Sequence, residues 1–278
     1  MMRPAGAWRL AAPLLAAVLL LLGYPTLYAL RLAFTDPLSG EFPRSANFVE
    51  LAGDPLFWQA VRNNALLPLV SVALELITGL ALALFLSLRF RGRGALRAIV
   101  IVPFALPEIV VLTIMRYIFV PHGYANAALA ALGLPAFDWL RPGGVLAWWT
   151  VVVVDAWHVT PVVFLILLAA LAGIPEEIGE AAQLDGAGAL TRLWRITLPL
   201  LWPALLAALL LRGVDALRIF ATPLVLTGVE GVPVLSSYAY HQWADYGNDA
   251  VAAAAAVVLA LLSVTVSVPL LRLRVEEA

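Results

Sequence analysis

Apolar residues run along this chain in long blocks, and polar residues collect between the blocks. The blocks cover approximately 9–32, 61–88, 95–120, 145–172, 196–220 and 249–272. A bilayer core of roughly 30 Å needs about 20 mostly apolar residues in a helix, and each block meets that length. Strict two-residue alternation is absent, so a transmembrane barrel does not fit. Backbone groups in lipid must be satisfied within a segment, so the blocks predict six transmembrane helices. The fifth block is the most irregular. Pro199 and Pro203 lie in its first turns, where a missing N–H costs least, and Arg212, Asp215 and Arg218 crowd its far end.

Composition agrees with this pattern. The 278 residues are 63% hydrophobic and 13% charged, and mean hydropathy is +0.95, which marks an integral membrane protein. There is no cysteine, hence no disulfide framework, thiolate metal site or thiol nucleophile. A formal net charge of -1 offers no basic field for nucleic acid. All 17 basic residues are arginine, which reads as compositional bias. The first apolar run, from near Trp8 to about Phe34, exceeds the apolar stretch of a signal peptide, follows Arg3 and Arg9, and has no convincing cleavage site. It reads as an uncleaved span.

The short loops orient the chain. Arg3 and Arg9, then Arg89, Arg91, Arg93 and Arg97, then Arg192 and Arg195, and finally Arg272 and Arg274 fall on one side of a six-span count. Loops 33–60, 121–144 and 221–248 fall on the other, with Asp36, Glu41, Glu50, Asp54, Asp138, Glu230, Asp245 and Asp249. The positive-inside rule then puts both termini and segment 173–195 in the cytoplasm. The outer loops are rich in turn formers and too short to carry a core of their own, so residues 1–278 read as one transmembrane domain with its core at about 61–272. Trp58, Trp139, Trp148, Trp149, Tyr238, Tyr240, Trp243 and Tyr246 near span ends fit an interfacial aromatic belt, with Trp243 and Tyr246 also open to contact with a partner or solute.

Segment 173–195 carries the most functional information. Gly173-Ile174-Pro175-Glu176-Glu177 has the signals of a helix start: a flexible residue, a first-turn proline, and acids where free amides and the helix dipole favour them. A short helix from about 175 to 184 would be broken by Gly186, and a second would lead through Leu193 and Ile196 into the membrane at Pro199. Small side chains flanked by charge suit a docking surface. Glu180-Ala181-Ala182, Asp185-Gly186-Ala187 and Ile196-Thr197-Leu198-Pro199 together resemble the EAA signature of permease subunits in binding-protein-dependent ATP-binding cassette importers of the carbohydrate uptake family. Leu193 stands where that family usually has phenylalanine. Asn63-Asn64, Val102-Pro103 with Pro107, and Ile174-Pro175 fall at family-like places, and Asp215 through Phe220 with Leu226-Thr227-Gly228 looks like the first of the two paralogous permeases. Ala221 and the run Gly228 to Pro233 depart from the family's usual aspartate and glycine-rich turn.

The resemblance implies a type I importer permease fold, all-α, with a coupling helix between the fourth and fifth spans. It implies a heterodimer with a second permease, two ATPase subunits that bind ATP and magnesium, and an external sugar-binding protein, in a bacterial or archaeal plasma membrane. On this reading Glu180 anchors the coupling helix in the ATPase cleft, Ala181 and Ala182 pack closely there, and Gly186 supplies the bend beside Asp185 and Ala187. The chain itself carries no cofactor and no catalytic residue: it has no GxxxxGK[ST] phosphate loop and no lysine at all. His122, His158 and His241 have no metal-ligand spacing, so no metal site is expected.

Ionisable residues within spans are costly and therefore candidates for function. Glu75, Glu108, Asp155 with His158, and Arg212, Asp215 and Arg218 qualify. The last three, spaced by three residues, read either as a structural ion cluster near the outer interface or as part of the path. Asp155 and His158 suit a packed hydrogen bond as well as solute contact. Asn64, Glu108, Asp155, Trp157 and His158 are the expected solute-path residues, and the acidic balance of the mid-span charges favours a neutral saccharide, the alternative being glycerol phosphate or another polyol or solute carried by the same family. A proton-driven transporter using Glu75, Glu108 and Asp155 is the competing reading, but it leaves the EAA segment unexplained. A membrane-embedded enzyme would need a nucleophile or metal constellation that this sequence does not assemble.

Overall fold

The computed structural model describes residues 12–275, and every regular element among them is helical. In chain order these are α1 (Ala12–Ala33), α2 (Ala46–Gly53), α3 (Pro55–Ser87), α4 (Arg93–Ala105), α5 (Glu108–Phe119), α6 (Tyr124–Ala131), α7 (Val145–Ala172), α8 (Glu176–Leu184), α9 (Ala189–Ala216), α10 (Ala221–Thr227), α11 (Leu235–Ala244) and α12 (Asp249–Val275). Five of them, α1, α3, α7, α9 and α12, are long and apolar enough to cross a membrane. Arg3 and Arg9 lie outside the described residues.

The expected third span is not one helix. It is α4 followed by the stretch Glu108–Ala131, which holds α5 and α6, the two bent by 97° at a break at Leu106-Pro107. Proline forces the residue before it out of the α region, and Leu106 accordingly sits at φ -90°, ψ 150°. Two other boundaries also differ from the block pattern. α3 starts at Pro55, six residues before the expected 61, because Asp54 Oδ1 accepts the Leu56 amide at 2.8 Å and Pro55 suits a first helical turn. α9 starts at Ala189 and ends at Ala216, leaving residues 217–220 outside it. A five-residue π turn, Leu193–Thr197, precedes Pro199, whose ring is incompatible with an ordinary i−4 carbonyl contact.

α3 is the axis of the fold. Ala60, Asn64, Leu67, Ser71, Glu75, Gly79, Ala83 and Leu86, spaced three or four apart, form one enclosed stripe along it. Three apolar clusters stack along this stripe. The first joins Leu51, Phe57 and Ala60 to Tyr238 and Val251, the second joins Leu67 to Leu112, Val151, Ile219 and Leu226, and the third joins Ala83 and Leu86 to Phe164, Leu167 and Ala208. Ser71 and Glu75 occupy the polar gap between the second and third. α3 and α7 pack tightly at Gly79, where a Cβ would lie 2.7 Å from Val163 Cγ1 and 3.2 Å from the Phe164 nitrogen. α1 packs along α12 and is otherwise mostly uncovered, except at its end, where Ala33 is buried and its carbonyl accepts from Asn47 Nδ2 at 2.9 Å.

Side-chain amides hold the irregular segments. Asn63 donates to the Pro233 carbonyl at 2.8 Å, and Asn64 donates to the Leu217 carbonyl at 2.9 Å while accepting the Leu235 amide at 3.1 Å. The two asparagines thus pin to α3 the backbone between α9 and α11. Asn126 does the same for 121–139, donating to the carbonyls of Pro121 and Phe137 and accepting from the Phe137 amide and the Trp139 indole. At the opposite end of α3, Arg97 covers the terminal carbonyl of Leu86 at 2.6 Å, where a helix dipole favours a cation.

Candidate functional site

Two features stand out, one within the spans and one beyond their Arg-rich end. The first is an open concavity of about 1050 Å³ between α4, α5, α7, α9 and α10, lined among others by Phe104, Glu108, Asp155, His158, Asp215, Arg218 and Phe220. The break between α4 and α5 explains two of these. It puts Phe104 on one side of the bend and Glu108 in the first turn of α5, where a helix N-terminus favours an acid. Residues 217–220, between α9 and α10, carry Arg218 and Phe220 to the wall.

Behind the wall runs a chain of polar contacts. Arg212, buried on α9, grips Glu75 with two donors, Nε to Oε2 at 2.7 Å and Nη2 to Oε1 at 3.1 Å. Its Nη1 donates to Asp215 Oδ2, and Asp215 Oδ1 lies 3.6 Å from Arg218 Nη2. The Glu75 side chain is 0% exposed, whereas those of Asp215 and Arg218 are 60% and 67% exposed. On the other side Ser71 lies 3.2 Å from Glu75 and donates to Asp155 Oδ2 at 2.5 Å, and Thr222 donates to Asp155 Oδ1 at 3.2 Å. Buried bidentate pairs of this kind hold two helices in one register, and removing one partner typically costs about 3–5 kcal/mol. His158, on the same face of α7, has its Nε2 enclosed with no hydrogen-bond partner among the described residues.

The structure thus brings Glu108, Asp155 and His158 to one wall with Asp215 and Arg218. Asn64 is fully enclosed in backbone contacts away from that wall. Trp157 is 44% exposed and, two residues from Asp155 on α7, faces elsewhere. The Arg212, Asp215 and Arg218 cluster is not confined to the end of a span, because its anchor is Glu75, midway along α3. The Glu75 partnership, 137 residues away in sequence, carried no sequence signal, nor did the Thr222 contact.

The second feature is α8. Glu176 and Glu177 occupy its first turn, and Arg89 bonds Glu176 at 2.5 Å, linking the turn after α3 to α8. Both side chains are exposed, so the pair is worth at most about 1 kcal/mol. Glu180 and Ala181 face outward, while Ala182 is 6% exposed and packs into this chain itself. Gly186, at φ +77°, ends the helix in a Schellman motif: its amide bonds the Gln183 carbonyl and the Ala187 amide bonds the Ala182 carbonyl. Leu184, Leu190 and Trp194 beside it are 89%, 70% and 65% exposed.

A multi-span helical bundle with a polar cavity and a protruding small-residue helix fits a membrane permease, and family membership makes this chain a transport component and not a catalyst. The chain belongs to the family of binding-protein-dependent transport system inner membrane components, which matches residues 75–277. It is similar to the trehalose/maltose transport system permease protein MalF of Thermococcus litoralis, 39% identical over 209 residues that cover 72% of this chain and 70% of that one. The sulfoquinovosyl glycerol transport system permease protein SmoG of Agrobacterium fabrum is 32% identical, with 87% of this chain and 80% of that one covered. In fold it is similar to a chain of a bacterial ABC transporter involved in import of the acidic polysaccharide alginate, with a TM-score of 0.84, 23% identity, and coverage of 97% of this chain and 95% of that one.

Proposed function

We propose that this chain forms half of the translocation path of an ATP-driven importer for a neutral mono- or oligosaccharide handed over by an external binding protein. The observation that carries the substrate class is the cavity wall, where Glu108, Asp215 and Arg218 are exposed and the rings of Phe104 and Phe220 also line the cavity. Carboxylates and a guanidinium bond hydroxyls in both directions, and ring faces accept the apolar faces of sugars. Two exposed acids against one exposed base disfavour an anionic solute. The curated relatives named for trehalose, maltose and sulfoquinovosyl glycerol transport support a sugar or sugar-derived cargo.

The other half of the path is a second permease, and α8 docks on an ATPase subunit that binds ATP and magnesium. Glu180 and Ala181 on its outer edge, flanked by bare Leu184, Leu190 and Trp194, supply the contact. Arg89, Arg91, Arg93, Arg97, Arg192 and Arg195 gather at that end, so the positive-inside rule favours a cytoplasmic α8 and cytoplasmic termini. ATPase activity of the assembled complex in lipid discs tests the reading. It is measured with binding proteins loaded with maltose, trehalose, a uronate oligosaccharide and a sulfonated glycoside. Stimulation by a neutral sugar alone, lost on Glu180→Ala, is the expected result; stimulation by the anionic cargo alone overturns the substrate class, and proton-driven uptake without an ATPase overturns the mechanism.

A further inference from the structure

We infer that Glu75, buried behind the cavity and out of reach of any solute, sets the charge selectivity of the wall by cancelling and orienting Arg212. Four ionised side chains run in series, Glu75, Arg212, Asp215 and Arg218, two acids and two bases whose formal charges sum to zero. Only the outer two meet the cavity as exposed groups. Arg212 is buried, but its Nη1 reaches Asp215, so its charge is felt at the wall unless something behind it compensates. Glu75 does so with both carboxylate oxygens, which fixes the plane of the guanidinium and with it the direction of the third donor.

With Glu75 in place, a solute meets an Asp215 and Arg218 pair of no net charge, suited to hydroxyl groups. Without it, Arg212 is uncompensated from behind, and the wall, which also carries Glu108 and Asp155, shifts by one unit toward positive and repels carboxylate, sulfonate or phosphate less. Because Arg212 itself is buried, its charge is screened less than that of an exposed group, and the difference reaches the adjoining wall. The selectivity of the path thus resides in a residue on α3 that lines none of the cavity. This deepens the proposed function, since it presumes that the cavity is the solute path, but it can be measured without any solute.

The chain contains no cysteine, so a single thiol is a clean reporter. Val214→Cys introduces one on the cavity wall next to Asp215. In the assembled complex in lipid discs, with the partner subunits free of accessible thiols, the rate of modification is compared for a cationic and an anionic thiosulfonate of similar size. Glu75→Gln shifts the cation-to-anion rate ratio toward the anionic reagent by roughly threefold or more. Glu75→Asp, which keeps the charge, leaves the ratio near its starting value. Arg212→Gln shifts it the opposite way, and Glu75→Gln with Arg212→Gln restores it. If Glu75→Gln fails to insert, Arg212→Gln against the double variant makes the same comparison. A ratio that stays constant while stability falls assigns Glu75 a packing role and overturns the inference. Failure of the saccharide reading shows separately, in the loaded binding-protein panel, and leaves this ratio untouched.

Discussion

Replacing Gly186 by alanine isolates the backbone contribution to the end of α8. The residue stands at φ +77°, and a Cβ built there has nothing within 4 Å, so no steric contact complicates the substitution. The cost is that of holding an ordinary L-residue in the left-handed region, about 1–2 kcal/mol. That weakens the closed Schellman turn by about five- to thirtyfold relative to its frayed form. The two bonds at stake are those from the amides of residues 186 and 187 to the carbonyls of Gln183 and Ala182. Amide hydrogen exchange in the assembled complex reads them directly, and protection at both positions is expected to fall by that factor, with a parallel loss of ATPase stimulation. Gly186→Asn is the control, since asparagine tolerates this conformation better and retains most of the protection. Unchanged protection in the alanine variant, or equal losses in both variants, would refute the assignment of Gly186 as the backbone stop of α8.

Further expectations follow from other contacts. Gly79→Ala forces a methyl group against Val163 at a tight contact of α3 and α7 and should lower stability by about 1–3 kcal/mol, read as a fall in melting temperature of the purified complex. Ala182→Leu overpacks this chain's own interior and is expected to reduce the thermal stability of the permease even without the ATPase, whereas Ala181→Leu leaves that stability alone and weakens only ATPase co-purification. Burial, then the hydrogen bond from the Tyr238 hydroxyl to Asp54 at 2.6 Å, push the phenol up from its ordinary range. The native state therefore holds this proton more tightly, so the stabilisation is complete below about pH 10 and is lost as pH rises through the higher native value. Tyr238→Phe should cost about 1–3 kcal/mol at neutral pH and flatten the alkaline limb of the stability profile, as followed by chemical denaturation across pH.

Long apolar runs made most spans legible, because a bilayer imposes one length and one composition on every helix. The α8 segment was legible for a different reason: Pro175, the acids at 176 and 177, and Gly186 are local punctuation, and the helix observed at Glu176–Leu184 needs no distant partner to be read. Where geometry depends on distant residues, the sequence was silent. Nothing local to Asn64 distinguishes a solute ligand from a backbone tether, and its true partners lie 153 and 171 residues away. Arg212, Asp215 and Arg218 were legible as a cluster, but the carboxylate that completes it sits on another span. Apolar content carries the third block through Leu106-Pro107 without interruption, although a proline within it was a local sign of the bend. The inward face of Ala182 was illegible because two adjacent alanines look alike until a helix rotates one of them inside.

The bend at Leu106-Pro107 has a consequence for permeation. A helix that stops in the middle of a bilayer leaves carbonyls at one end and amides at the other without partners, and hydrocarbon supplies none. Here the break opens beside Phe104 and Glu108 on the cavity, where water can reach the backbone at the bend. On the proposed path such a cavity would resist drying out. Resistance to ion leakage would then rest on closures above and below it, and faulty closure at either end would register as ionic conductance before it registered as lost transport.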